Sequence, residues 1–493
     1  MIYNFNLGIG WASSGVEYAQ IYRARMFRNI GVDAKFVFTD MFPSENMEHM
    51  TKNIGFLDSE VIWLYTFFTD FKTAPVTYSL SDLEKTFTDL NYTKTREGKI
   101  CRYVFGGSNN FYTAYMVNDH DDFVHRVELV SNGFLIRKDY FIYGRVYSEY
   151  YAPLDNKAHL YHRRFFNENG SVAYEEIIDD DRVMYKFKDK ILCSKEEFVG
   201  YMVSQLNLTS DDVVLIDRST DIGQSILMNC KPARVGTVVH ADHFSEKETN
   251  EDYILWNNFY EYEFNMHKHI DFYICSTQAQ SDLMVQQFEK YYGVTPVVYT
   301  IPVGSLPELK YPSSTRKPYS LITASRLASE KHVDWICKAV IQARSEVPEL
   351  SLDIYGVGGE REKLETIIRD NNASSYIHLM GQHDLSEVYQ NYEAYIAGST
   401  SEGFGLTLME AVGGGLPIIG FDVRYGNPTF IRNGENGYLI DLPEEDKDKI
   451  EALRKGIVDL FKQDLEKCHS VSYEVAKDFL TSNVQEKWRE AVC

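Results

Sequence analysis

Between residues 75 and 195 the chain runs as short segments in which apolar and polar residues alternate, among them Ile100 to Phe105, Phe111 to Val117 and Phe123 to Leu129. Turn-forming clusters separate them: Gly106-Gly107-Ser108-Asn109, Asn118-Asp119-His120-Asp121, Ser131-Asn132-Gly133 and Asn167-Glu168-Asn169-Gly170. Period two with hairpin spacing predicts an antiparallel meander. On either side the texture is different, with buried-strand runs alternating with amphipathic helices, so the meander is an insertion into an α/β protein. Its strands carry aromatic residues on both faces, with Tyr140, Tyr143, Tyr147, Tyr150, Tyr151 and Tyr161 prominent. One face is expected to pack on the body and the other to recognise another molecule. The acidic tract Asp179-Asp180-Asp181 is expected to be a hairpin turn rather than a metal site.

The α/β frame opens with a strand, Ile2 to Leu7, followed by Gly8-Ile9-Gly10-Trp11-Ala12-Ser13-Ser14-Gly15-Val16-Glu17-Tyr18. A helix bearing Val16, Ala19, Ile21, Tyr22 and Met26 comes next, then a strand at Lys35 to Phe38. These glycines do not fit G-x-G-x-x-G, which leaves a flexible loop able to approach a phosphate or sugar closely. After a helix at Glu196 to Leu206, strands follow at Val213 to Asp217, Ala233 to His240 and Asp271 to Ser276. The second ends in His240-Ala241-Asp242-His243, where α/β folds place ligands. Asn250 to Phe264 is expected to be helical. Prolines 302, 307, 312 and 318 mark a linker. A second series of strands begins at Tyr319 to Ala324 and continues at Leu352 to Gly356, Ile377 to Gly381, Ala394 to Ala397 and Pro417 to Phe421.

The expected organisation is a first Rossmann-like domain in two parts, 1–74 and 196–305, carrying the insertion 75–195. A second Rossmann-like domain, 306–471, follows, and a C-terminal helix, 472–493, is expected to cross back to the first. Two such halves facing a cleft put the ligand in that cleft.

Composition narrows the function. A net charge of −22 argues against nonspecific binding of nucleic acid or anionic lipid. No apolar run approaches the roughly 20 residues needed to cross a bilayer, and the N-terminus lacks a basic region and a cleavage site. A cytoplasmic protein is expected, at most peripheral at the inner face of the membrane. Seven cysteines without C-x-x-C pairing fit idle thiols better than a disulfide or zinc framework.

The chemistry concentrates in Ser401-Glu402-Gly403-Phe404-Gly405-Leu406-Thr407-Leu408-Met409-Glu410-Ala411. A glycine-punctuated loop turns here into a helix-favouring run, so the amides of Gly405, Leu406 and Thr407 are expected to form an anion seat at a helix N-terminus. Glu402 before it and Glu410 a turn inside it flank that seat. About 80 residues upstream, Arg326 and Lys331 carry the charge that neutralises a diphosphate, with Glu330 expected to orient Lys331.

Ser325-Arg326-Leu327 with Glu330-Lys331, and the Glu402 to Glu410 spacing, resemble the donor site of the retaining GT-B glycosyltransferases of family 4. Gly8 to Ala19, Val-Val-His-Ala-Asp-His ending at His243, Asn250 to Asn258 and the inserted meander extend that resemblance end to end, to the branch that starts O-glycosylation of serine-rich-repeat adhesins before their accessory secretion. It implies a GT-B fold and UDP-N-acetylglucosamine as donor, with Ser or Thr of an unfolded repeat protein as acceptor and no cofactor or metal. A catalytically degenerate GtfB-like co-subunit is implied as partner, docked on the insertion. Gly15, Val16, Glu17 and Tyr18 would border the donor, His240 the transferred sugar, Arg326 and Lys331 the diphosphate, and Gln382 and His383 the uracil. Glu402, Gly403, Phe404 and Gly405 would hold the sugar, Leu406 and Thr407 the phosphate, and Glu410 the ribose. Of these, Glu402, His240, Arg326 and Lys331 are the catalytic candidates. UDP-glucose as donor and a lipid or small-molecule acceptor are the alternatives; a non-catalytic sugar-binding subunit ranks last.

Overall fold

The computed structural model describes residues 1–9, 15–42, 45–87, 90–106 and 109–493. Two residues of the expected turn at 106–109, Gly107 and Ser108, and the loop residues Gly10 to Ser14 lie outside them. The chain forms two compact units, one of residues 1–238 with 256–271, the other of residues 239–255 with 272–493. Among the described residues no helix is long and apolar enough to cross a membrane.

In the first unit the described residues place parallel strands in the order Arg234–Val239, Val213–Ile216, Ile2–Asn6, Ala34–Phe38, Val61–Trp63. Every residue of Val213–Ile216 is buried, as a strand covered on both faces requires. The helix Gly15–Ile30 is locked to this sheet by Arg23. Its guanidinium donates to both carboxylate oxygens of Asp217, at 2.7 and 2.9 Å, and to Asn4 at 2.9 Å. Arg23 and Asp217 are both buried, so removing either partner leaves an uncompensated charge, at a cost of about 3–5 kcal/mol.

The insertion is a ten-stranded antiparallel sheet, Tyr92–Glu97 to Ile191–Leu192, in which each strand pairs with its neighbours in sequence. Asp179 and Arg182 close a hairpin with Asp180 at φ +53°, as expected of the acidic tract. The tyrosines divide. Tyr140 and Tyr147 are buried and stacked with centroids 4.3 Å apart, and Tyr143 donates to Glu168, whereas Tyr161 remains 43% exposed. At its root the insertion shares an aromatic core with the body. Tyr185 stacks on Phe198 at 4.1 Å, Phe165 and Tyr174 stack at 4.4 Å, and the Tyr174 hydroxyl donates to Tyr65 O at 2.7 Å. Its far end has a core of its own, in which the helix Leu80–Lys85 and Phe87 cover Cys101, Tyr103, Ala114 and Leu129.

The helix expected over Asn250 to Phe264 shrinks to Glu261–Asn265. Asparagine side chains take the backbone elsewhere. Asn250 Oδ1 accepts from the amides of Asp252 and Tyr253, and Asn257 Oδ1 from that of Phe259, the local competition that makes asparagine a turn former.

The second unit holds a parallel sheet in the order Ile377–Gly381, Ser351–Tyr355, Ser320–Ala324, Ala394–Ile396, Ile418–Phe421, Gly437–Ile440, and a parallel pair, Phe272–Cys275 with Val298–Thr300. Strand order runs outward from Ser320–Ala324 in one direction and from Ala394–Ile396 in the other. A topological switch point therefore lies between these two strands, the position where open α/β sheets bind ligands. The single C-terminal helix read from the sequence is two, Leu465–Lys477 and Thr481–Val492. The chain leaves the helix between them to bond with the linker: Leu306 N donates to Phe479 O and Thr481 N to Leu306 O.

Candidate active site

At the switch point the strand Ala394–Ile396 runs into Ser401 to Gly405, and the helix Leu406–Gly413 follows. Gly405 is its N-cap at φ +87°. A Cβ there would meet Leu408 Cδ1 at 2.6 Å and Glu402 Cγ at 3.2 Å, so both conformation and space demand glycine. The amides of Leu408 and Met409 donate back to Gly405 O at 3.0 and 3.1 Å. Helix geometry leaves those of Gly405, Leu406 and Thr407 with no intrahelical acceptor, as the sequence led us to expect. The buried Tyr395 hydroxyl ties the two strands and the helix together, 2.9 Å from Ala324 O and 3.1 Å from Thr407 Oγ1.

Lys331 Nζ lies 2.6 Å from Glu402 Oε2, the two side chains 20% and 21% exposed. Glu330 does not orient Lys331. It pairs with Arg326 at 3.1 Å, while the adjacent Lys331 of the 3-10 turn Ser329–Lys331 is directed to Glu402 instead. Arg326 is 79% exposed and accessible to an anion. The half-buried His240 is brought to the same place, since a Cβ on Gly403 would lie 3.9 Å from His240 O. Phe404 packs its ring against Phe430 and Phe479, so a ligand meets its main chain only.

Glu410 accepts from the Tyr389 hydroxyl at 3.0 Å. It lines a pocket of about 390 Å³ with Lys310, Asp384, Leu385 and Tyr389. Desolvation of its carboxyl, aided by the Asp384 charge and opposed by the Tyr389 bond, raises it above the ordinary value, and because the residue as a whole is exposed solvent screening keeps that effect modest. Gln382 and His383 are exposed and immediately precede the pocket wall at Asp384. His383 meets the Tyr355 ring edge-on at 5.8 Å. Gly15 to Tyr18 belong to the first unit, as the first residues of its helix Gly15–Ile30. Val16 and Glu17 are buried there, and Tyr18 is exposed.

Two family models match the chain: the GtfA extended beta-sheet domain over residues 93–189 and glycosyl transferases group 1 over residues 310–478. The GtfA subunit of the UDP-N-acetylglucosamine–peptide N-acetylglucosaminyltransferase of Streptococcus agalactiae is 52% identical over 492 residues, covering 99% of this chain and 97% of that one. The chain belongs to the GtfA family of glycosyltransferases. Solved structures agree. A GtfA/B complex matches with a TM-score of 0.95 at 51% identity over 100% of this chain and 99% of that one. The pneumococcal O-GlcNAc transferase GtfA in complex with UDP and GlcNAc matches with a TM-score of 0.84 at 49% identity, covering 100% and 98%. The fold is thereby GT-B, with a mixed α/β body and an antiparallel sheet domain.

For this family the geometry adds residues that sequence reasoning missed. Tyr389 and Asp384 act on the Glu410 carboxyl in opposite directions, the Tyr389 bond favouring its charged form and the Asp384 charge disfavouring it, both secondary to desolvation. Tyr395 was visible only as one apolar strand residue. Arg316, buried and donating to the carbonyls of Gln390, Tyr392 and Gly414, holds the loops behind the pocket, and a lone arginine in a proline-rich linker gave no sign of this.

Proposed function

We propose that this chain is the catalytic subunit of a retaining transferase that moves N-acetylglucosamine from UDP-N-acetylglucosamine to Ser or Thr hydroxyls of a serine-rich-repeat protein. The observation that supports it best is the Lys331–Glu402 pair beside the N-terminus of the Leu406–Gly413 helix. A diphosphate arriving at the helix amides competes for Lys331 and releases Glu402 toward the sugar hydroxyls. As the C1–O bond breaks, negative charge grows on the departing UDP, and Arg326, Lys331 and the helix N-terminus are the groups that stabilise it. The acceptor hydroxyl attacks from the same face, and its proton passes to a departing phosphate oxygen. His240 borders the transferred sugar, and Glu402 supports its oxocarbenium-like state without forming a covalent bond. Glu410 takes the ribose hydroxyls and the pocket beside it the nucleoside, with Gln382 and His383 at the uracil. Gly15 to Tyr18, with their helix N-terminus, form the first domain's border of the donor.

No protein-bound metal is needed in this scheme, since the cationic side chains and helix amides carry the charge; loss of activity in EDTA that manganese restores would contradict it. A GtfB-like co-subunit as partner is supported by the relative solved as a GtfA/B complex; in this reading the insertion is the surface that docks it, and the pair works in the cytoplasm, at most peripherally at the membrane. Incubating the complex with an acceptor peptide and a panel of UDP-sugars, then weighing the product by mass spectrometry, tests the reading. Transfer of N-acetylhexosamine supports it. A hexose from UDP-glucose, or transfer only to a lipid, replaces it.

A further inference from the structure

His240 and Glu402 come from segments more than 150 residues apart, and one short turn joins them. The Glu402 amide donates to Arg424 O at 3.0 Å, and the amides of Tyr425 and Gly426 donate back to Glu402 O. Gly426 fits only without a side chain, since a Cβ would stand 2.3 Å from Phe404 O. The side chains of the same turn reach the segment that carries His240. Arg424 pairs with Glu246 at 2.6 Å and lies over the Phe244 ring at 5.0 Å. The Tyr425 hydroxyl is 3.4 Å from His243 Nδ1, the two rings near parallel with centroids 6.2 Å apart. His243 Nε2 meets Gln287 Oε1 at 2.7 Å, and Gln280 Nε2 donates to Ala241 O at 2.9 Å, which fixes the far side of the segment.

Burial decides which link matters. Glu246 is 73% exposed, and an exposed ion pair contributes little. Tyr425 and His243 are 2% and 0% exposed, so their contact is held by packing on every side. The Asp242 carboxylate also faces the Tyr425 hydroxyl, and burial raises that phenol above its ordinary value. Desolvation lowers the His243 imidazole to about 4, keeping it neutral and able to accept.

We propose that Tyr425 is a positioning residue for the transfer reaction: through its main chain it holds Glu402, through its hydroxyl it holds the His240–His243 segment, and it thereby sets the spacing of the two catalytic candidates. The inference rests on the transfer reading above.

The test uses the full chain with its co-subunit. With Tyr425→Phe, kcat for transfer from UDP-N-acetylglucosamine falls about tenfold while UDP affinity stays within about twofold, because misplacement costs the reaction rather than ground-state binding. In a His240→Ala background the same substitution has no further effect, since its route to the reaction is gone. A residue that only stabilised the fold would cost the same in both backgrounds, and that result, or an unchanged kcat, overturns the proposal. The imidazole resonances of His240 in the UDP-bound chain need no turnover; they shift with Tyr425→Phe, and their staying in place also overturns it. An unmodified complex that transfers no sugar refutes the transfer reading alone, because the resonances still report on the positioning.

Discussion

The candidate site of the second unit and the root of the insertion in the first are built on opposite principles. The candidate site is made of strand ends, a left-handed glycine and single polar contacts, so its geometry hangs on the φ of Gly405 and on the one contact between Lys331 and Glu402. The root is made of mutually stacked rings, Tyr65, Phe165, Tyr174, Tyr185, Phe187 and Phe198, in which shape and volume dominate over single polar contacts such as that of the Tyr174 hydroxyl with Tyr65 O. Damage to the root is therefore read in stability, and damage to the site in rate.

The root gives the largest effect. Phe198 is fully buried and touches Tyr65, Phe68, Tyr174, Tyr185 and Phe187. Phe198→Ala is expected to lower unfolding stability by about 3–5 kcal/mol, as large-to-small changes in aromatic cores do. Urea unfolding measures it, and a loss under 1 kcal/mol would mean that the body and insertion do not share a core. The same shared core bears on deletion of the insertion as a test of partner docking. Excising residues 77–190 whole strips the body of its ring partners, so shorter excisions or surface changes are the cleaner probe.

The site comes next. Glu402→Gln keeps size and removes the charge that Lys331 meets at 2.6 Å; transfer is expected to fall about 10²–10³-fold with a denaturation midpoint near that of the parent. Equal loss of stability and rate would erase the distinction between the two regions.

This contrast also explains what could be read in advance. The strands of both α/β units, the meander and the Glu402 to Glu410 run were legible because period, glycine placement and charge are local properties of the sequence. The pairing of Glu330 with Arg326 was not, since it depends on the direction in which a 3-10 turn sends two adjacent side chains. Nor was the burial of Tyr140 and Tyr147, because alternation shows that a strand has two faces without showing which is covered. The missing helix at Asn250 to Phe264 was decided by two asparagine side chains, and the C-terminal break by Leu306, more than 170 residues away. Tyr395 and Arg316 act through contacts about 70 to 100 residues distant, beyond the reach of any window.

A middle effect separates the outer sheet from both. Phe134 and Ile136 are 49% and 40% exposed near the start of the strand Phe134–Phe141, with Ile136 at a bulge against Leu129 and Val130. Phe134→Asp with Ile136→Asp is expected to weaken co-subunit affinity by about tenfold or more if they lie at the centre of its contact, leaving UDP binding unchanged. Undiminished co-purification and titration would move the docking surface elsewhere on the insertion.

The smallest effect tests whether the pocket beside Glu410 belongs to the donor site. Glu410 carries a raised carboxyl pKa from desolvation, with Asp384 adding to it. For an acid raised in the folded state, the proton is held more tightly than in the unfolded chain, so ionisation costs stability that builds as pH rises from the unfolded to the folded value, is complete above the folded value and is absent below the unfolded one. Ligand binding runs the other way. A carboxylate that accepts ribose hydroxyls must be ionised, so UDP affinity is expected to decline on acidification from a pH higher than that of an ordinary glutamate. Glu410→Gln should weaken UDP by about three- to tenfold at neutral pH, the worth of one hydrogen bond to a charged group, and flatten the decline. Tyr389→Phe removes the bond that opposes the shift, which moves the decline to still higher pH. Calorimetric titration of UDP between pH 5 and 8 reads all three. A decline that persists unchanged in Glu410→Gln belongs to another group, most directly the UDP phosphates, and would detach this carboxylate from the ribose.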